Sequence, residues 1–199
     1  MRLTKVKTVL SLSLLTAALI VANCAQNSAD KPLTKEEMIK RGSYLVNSGS
    51  CNDCHSPKKY GPKGPEPDQS ILLSGHRANL PVAAIPAGLP DPNGWVVMGN
   101  ADFTAWAGPW GVSFAANLTP DPNTGIGKWT EDDFVNAMRN GKHMGTGREI
   151  LPPMPWQMIG QMTDEDLKSM FAYFMSLPAV PNLVPGPIPP QAAPPATAE

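Results

Sequence analysis

Cys51-Asn52-Asp53-Cys54-His55 is the stretch on which the reading of this chain turns. Two thiols at this spacing match the reach to the two vinyl groups of a haem. An imidazole directly after the second thiol is placed to ligate the iron from the same face, so the pattern implies a covalently attached haem c on Cys51 and Cys54, with His55 as metal ligand. The pattern occurs once, so one haem is expected. A structural zinc site needs four ligands, and beyond these three the chain offers only Cys24, His76 and His143, without a paired spacing. A thioredoxin-like redox pair needs a βαβ context that the sequence lacks. A plain disulfide leaves the adjacent histidine unexplained.

Outward from the motif, three helices are signalled by their caps. Thr34, with Glu37 three residues on, opens a helix to about Asn47 that carries Met38, Tyr44 and Leu45, and Ser48-Gly49-Ser50 stops it. Thr130 with Asp133 opens a second, ending at Gly141. Thr163 with Asp166 opens a third, in which Leu167, Met170, Phe171, Phe174 and Met175 recur at helical spacing until Pro178. The acidic clusters 131–133 and 164–166 oppose the positive helix ends and need no functional role. Between the motif and the second helix the chain is rich in Pro, Gly, Asn and Asp. It shows no sustained period, and reads as ordered loop with a short hairpin near Trp95 to Phe103, because Trp95, Trp106 and Trp110 need burial. Residues 178–199 form a proline-rich tail without an apolar face, read as an extended or disordered appendage.

The N-terminus has the layout of an export signal: Arg2, Lys5 and Lys7, an apolar run from Val9 to Ala22, then small residues. The run is shorter than the roughly 18 to 20 residues that span a bilayer. Cys24 after Val21-Ala22-Asn23 resembles the lipobox of bacterial lipoproteins, although Asn23 departs from the usual small residue, so residues 1–24 are expected to be a signal peptide of lipoprotein type. Cys24 is then the lipidation site and 25–33 a tether. The product is expected in the periplasm as an anchored lipoprotein, or as a soluble periplasmic protein if Cys24 leaves with the signal. Loss of the three N-terminal cations takes the formal charge from −1 to about −4, which gives no support to nucleic-acid binding.

A second axial ligand is harder to choose among ten methionines. Met154 stands in Leu151-Pro152-Pro153-Met154-Pro155-Trp156, where prolines fix φ and stiffen a loop between two helices, and it is the expected metal ligand opposite His55. Met144 and Met158 are alternatives, and His76 or His143 would give bis-histidine ligation. Methionine ligation raises the reduction potential and leaves no open position for small ligands.

The capped helix with Gly42 and Tyr44, the Cys-x-x-Cys-His, the late methionine loop and a last helix bearing Tyr173 and Phe174 together resemble the class I cytochrome c family. The resemblance covers 34–177 and implies a mostly α fold, a small helical bundle around haem, in which the first and last helices cross at Gly42. Asn117 to Asp121, Thr124 to Trp129, and Pro152 to Trp156 further resemble the cytochrome c subunits of bacterial alcohol, aldehyde and sugar-acid dehydrogenases. Those subunits usually carry several haems, and this chain carries one motif. By that resemblance Trp129 packs near the haem, and about 60–115 is a Gly/Pro/Trp-rich loop insertion covering one side of it. Arg77 within it is a candidate partner for a haem propionate, and Lys58, Lys59 and Lys63 a candidate basic rim for docking. The expected role is single-electron transfer as a carrier, with no catalytic residue. Its redox donor and acceptor proteins would be a dehydrogenase, a respiratory complex or an oxidase. The alternative is a haem enzyme, for example in thiosulfate oxidation or peroxide reduction.

Overall fold

A computed structural model of the protein describes residues 31–82, 84–85 and 93–190. The signal, Cys24, most of the tether, the tail beyond 190 and part of the insertion lie outside the described residues.

Helix α1 (Lys35–Ser48) buries Gly42, Leu45 and Val46 at the i, i+3, i+4 spacing of one helical face. It crosses α5 (Asp164–Ser176) at Gly42, where a Cβ would lie 1.9 Å from the Ser169 carbonyl oxygen and 2.9 Å from the Tyr173 Cβ. Only glycine permits that approach. Arg41 Nε, 2.8 Å from Asp166 Oδ1, ties the same crossing at its edge. Tyr44 is exposed rather than packed, with the Arg41 guanidinium 6.0 Å from its ring centre.

Helix α3 (Glu131–Asn140) starts with the full capping box. Thr130 Oγ1 accepts from Asp133 N at 3.1 Å, and Thr130 N donates to Asp133 Oδ2 at 2.9 Å. It ends at Gly141 in the left-handed region. Phe134 joins it to α5, with ring centres 5.8 Å from Phe171 and 5.7 Å from Phe174. Thr163 caps α5 through Asp166 N, and Arg139 pairs with Asp164, so the acidic first turns serve caps and ion pairs. Between α1 and α3 a single helical turn, α2 (Cys51–His55), carries the motif, and α4 (Trp156–Ile159) follows the methionine loop.

The insertion carries more strand than the single short hairpin expected near Trp95 to Phe103, because it contains two small sheets. β1 (Lys58–Gly61) and β2 (Gly64–Pro67) form an antiparallel hairpin in the register Lys58 to Pro67. β3 (Met98–Gly99), β4 (Ala105–Gly108) and β5 (Gly111–Phe114) pair antiparallel in the order β3-β4-β5. Of the described residues, 34% are helical and 14% strand, so helices frame the core while short strands and irregular chain fill the rest.

The proline-rich stretch is extended, as expected, but through residue 190 it is no appendage. Ile188 bridges Val112 of β5 through paired backbone bonds of 2.8 and 2.9 Å. Asn182 Nδ2 donates to the carbonyls of Ser74 and His76, and Asn182 N donates to Thr124 Oγ1. Each proline lacks an N–H, so side-chain amides and hydroxyls from other segments supply the anchoring that a strand ladder would.

Candidate functional site

Helix α2 is one turn long, so its orientation depends on what grips it. Gly75 N donates to the His55 carbonyl at 2.8 Å, and Ser56 Oγ donates to Asn52 Oδ1 while accepting from Leu73 N. His55 is buried, with Nδ1 2.8 Å from the Ala116 carbonyl. A carbonyl only accepts, so Nδ1 carries the proton and Nε2 keeps its lone pair. Burial lowers the His55 pKa below the ordinary imidazole value. The Ala116 carbonyl opposes that shift and the Lys58 cation adds to it, which leaves the ring neutral and able to ligate a metal.

Cys51 and Cys54 are free thiols one helical turn apart. Burial pushes the Cys51 thiol up to about 11 and raises Cys54 as well, so both are protonated at neutral pH. Among the described residues no cluster of three or more His, Cys, Asp and Glu side chains could hold a metal ion.

Cys54 and His55 face a cavity of about 1050 Å³ that includes solvent at its mouth. One wall is Trp106 with β5 and the turn after it, Ser113 to Ala116. A second is the core side of α3, with Phe134 and Met138, joined by Leu118, Ile126 and Trp129. A third is the methionine loop, Ile150, Leu151, Pro153, Met154 and Pro155, and the strap contributes Pro185 and Pro187. These walls are mostly apolar, and with the His55 lone pair on one side and the Met154 loop as a separate wall they fit a flat apolar macrocycle held through a metal. Cys51 does not line the cavity; it packs, partly buried, against the hydrophobic core.

The cavity sorts the proposed second ligands. Met154 and His143 line it; His76, Met144 and Met158 do not. His76 is fully buried elsewhere, its Nδ1 2.8 Å from Thr104 Oγ1 and its ring 4.9 Å from Phe114. Met144 and Met158 are exposed, Met158 by 67%. The Met154 loop is held by Ser113 Oγ donating to the Pro152 carbonyl at 2.5 Å and by Trp156 N donating to the Met154 carbonyl at 2.9 Å. His143 stands edge-on to Trp129 at 4.8 Å.

Two expectations about charge change, although Lys59 and Lys63 of the expected rim are exposed. Arg77 does not line the cavity; it pairs with Asp68 at 3.5 Å and Asp102 at 3.7 Å, and the cation that does line it is Arg148. Lys58 is no rim residue: it is buried, with Nζ against backbone carbonyls, while Lys59 is paired with Asp68 at 2.8 Å. The bare sequence held a cue for Lys58, since a lysine just beyond a helix is suited to its C-terminal carbonyls.

No family model matches the chain. Among curated proteins it is 40% identical over 147 residues to the cytochrome c subunit of the quinone alcohol dehydrogenase of Komagataeibacter europaeus, which is 74% of this chain and 23% of that one. It is 32% identical over 140 residues to the gluconate 2-dehydrogenase cytochrome c subunit of Pantoea cypripedii, 70% of this chain and 23% of the relative. It is 28% identical over 171 residues to the fructose dehydrogenase cytochrome subunit of Gluconobacter japonicus, 84% of this chain and 28% of the relative. The chain thus spans about a quarter of the length of these relatives. Across most of its own length the chain is related in sequence to the cytochrome c subunits of bacterial alcohol, sugar and sugar-acid dehydrogenases.

Proposed function

We propose that this chain is an exported monohaem cytochrome of class I type that carries single electrons from a dehydrogenase toward a respiratory complex or oxidase. The observation that carries the reading is the apolar cavity on which Cys54, a neutral His55 oriented by Ala116, and Met154 converge. The relationship to dehydrogenase cytochrome c subunits supports it independently. A haem c bound there supplies an iron that cycles between two oxidation states one electron apart.

The chain's own residues then have separate tasks. The Cys51 and Cys54 thiols would hold the group covalently, as thioethers made by adding S–H across its two vinyl groups. His55 would hold the iron through Nε2 and Met154 would supply a second protein ligand, which would leave no open position for small ligands. The apolar walls exclude water, so the charge change on the iron meets little solvent reorganisation. No acid, base or nucleophile is required. Met154 is favoured over His143 because its backbone is pinned on both sides, at Pro152 and Trp156. Cys24 is the proposed lipid attachment point, and among the described residues no helix is long and apolar enough to cross a membrane.

The test is to express the full chain in a host that exports and matures c-type cytochromes. The purified product should keep its pigment through denaturing electrophoresis, contain one haem per chain and be low-spin in both oxidation states. A colourless product, or pigment extracted by acidified organic solvent, rejects the reading. A high-spin iron that readily binds carbon monoxide points instead to haem catalysis.

A further inference from the structure

Lys58 is the feature that neither the motif nor the relatives explain. Its side chain leaves the start of β1 and turns back beneath α2, where it is 8% exposed. Nζ lies 3.1 Å from the Asn52 carbonyl, 2.8 Å from the Asp53 carbonyl and 2.5 Å from the Ser56 carbonyl. Three carbonyls accept only, and an uncharged amine has two N–H groups, so filling all three bonds requires the ammonium form. Among the described residues no carboxylate forms a salt bridge with it; Asp53 and Asp102 are near enough to be felt, and Asp53 is exposed to water.

A buried cation bonded only to carbonyls, with its nearest carboxylates acting at a distance, is uncommon, because desolvation disfavours the charge unless something nearby benefits from it. What lies nearby is the single turn holding Cys51, Cys54 and His55, whose free carbonyls form the negative end of that helix. The carbonyls that Lys58 Nζ meets, those of Asn52, Asp53 and Ser56, stand on either side of His55 in the chain, so the charge lies close behind the imidazole. Any group ligated by His55 sits in the same field, transmitted through a poorly screening interior.

Resting on the haem-binding reading above, we infer that Lys58 is a fixed positive charge behind the proximal ligand that favours the electron-rich state of the bound group and so raises its reduction potential. It also holds α2 in place, but the charge is the functional part. It is a positioning and tuning residue that touches neither the cofactor nor a partner.

The test is the midpoint potential of purified holoproteins, read by spectroelectrochemistry for wild type, Lys58→Met, Lys58→Gln and Lys58→Arg, with covalent haem confirmed in each. Met and Gln should shift the midpoint negative, by roughly a three- to tenfold change in the equilibrium constant for electron exchange with a reference couple. Arg should stay near wild type. Gln tracking wild type rather than Met would show that the hydrogen bonds matter and the charge does not, and would overturn the proposal. So would an unmoved midpoint in Met, or loss of holoprotein in all three variants, Arg included, which would assign Lys58 to folding alone. If Met and Gln fail to mature while Arg matures with a wild-type midpoint, the requirement for charge at this position stands. A wild-type chain without covalent haem overturns the functional reading itself, an outcome distinct from pigmented variants with equal potentials.

Discussion

The hydroxyl of Ser113, on β5, donates to the carbonyl of Pro152 across 2.5 Å and joins two cavity walls that are 39 residues apart in the chain. The same oxygen accepts from Trp110 Nε1 at 3.2 Å. Replacing Ser113 by Ala leaves both partners unsatisfied and costs about 1–2 kcal/mol in urea unfolding. It should also loosen the Met154 loop, so that the variant binds imidazole or cyanide faster than wild type in stopped-flow absorbance.

Met154→Ala removes the thioether from the cavity and leaves the folded walls in place. Optical spectra of the oxidised holoprotein should lose the Fe–S charge-transfer band, external ligands should bind, and the midpoint potential should fall. Retention of that band would transfer the ligand role elsewhere, with His143 next in line because it lines the same cavity.

Gly42→Ala places a methyl 1.9 Å from a backbone oxygen, which no side-chain rotation relieves. Overpacking of this kind costs roughly 1–3 kcal/mol or more, and should appear as a lower urea midpoint. Gly61→Ala is the control: its added methyl meets nothing within 4 Å, so stability should change by less than about 0.5 kcal/mol.

The helices were legible because their signals are local. Thr130 and Thr163 cap the helices they introduce, and Gly141 ends α3 in the left-handed region. The motif was legible from its fixed residue types and the Met154 loop from its flanking prolines, and the fold brings Cys54, His55 and Met154 to one cavity. The small sheets were not, since strands such as Gly64–Pro67 and Met98–Gly99 are too short to show a period. The anchoring of Asn182 was invisible for another reason. Its partner His76 is 106 residues away, and an asparagine among prolines carries no local sign of such a bond. Lys58 misled because lysine in a Gly/Pro-rich stretch reads as solvated, which outweighed the cue of its place just beyond the motif helix, whose carbonyls it meets.

Asp68 is held well below the usual carboxylate range, first by Lys59 at 2.8 Å and then by Ser70, whose hydroxyl and N–H donate at 2.6 and 3.1 Å. A depressed folded pKa stabilises the fold above the unfolded value, about 3.9 for aspartate, and that contribution is lost as pH falls below it toward the folded value. Acid unfolding monitored by circular dichroism should therefore be steeper in this window for wild type than for Asp68→Asn, which should be less stable at pH 7.

Asn182→Ala deletes the bonds to the Ser74 and His76 carbonyls at 2.7 and 2.8 Å and the one accepted from Ala78 N at 2.9 Å. The strap should then open locally before the helices unfold. Limited proteolysis should cut within 178–190 at protease levels that leave wild type whole, and hydrogen exchange at Val112 and Ile188 should accelerate.

Pro185 and Pro187 belong to a segment that leaves the ribosome after every other wall of the cavity has been made. Through Ile188 on Val112 and Asn182 on the Ser74 and His76 carbonyls, this late stretch of chain finishes one side of the cavity, so cutting the chain back before residue 182 should leave that side open.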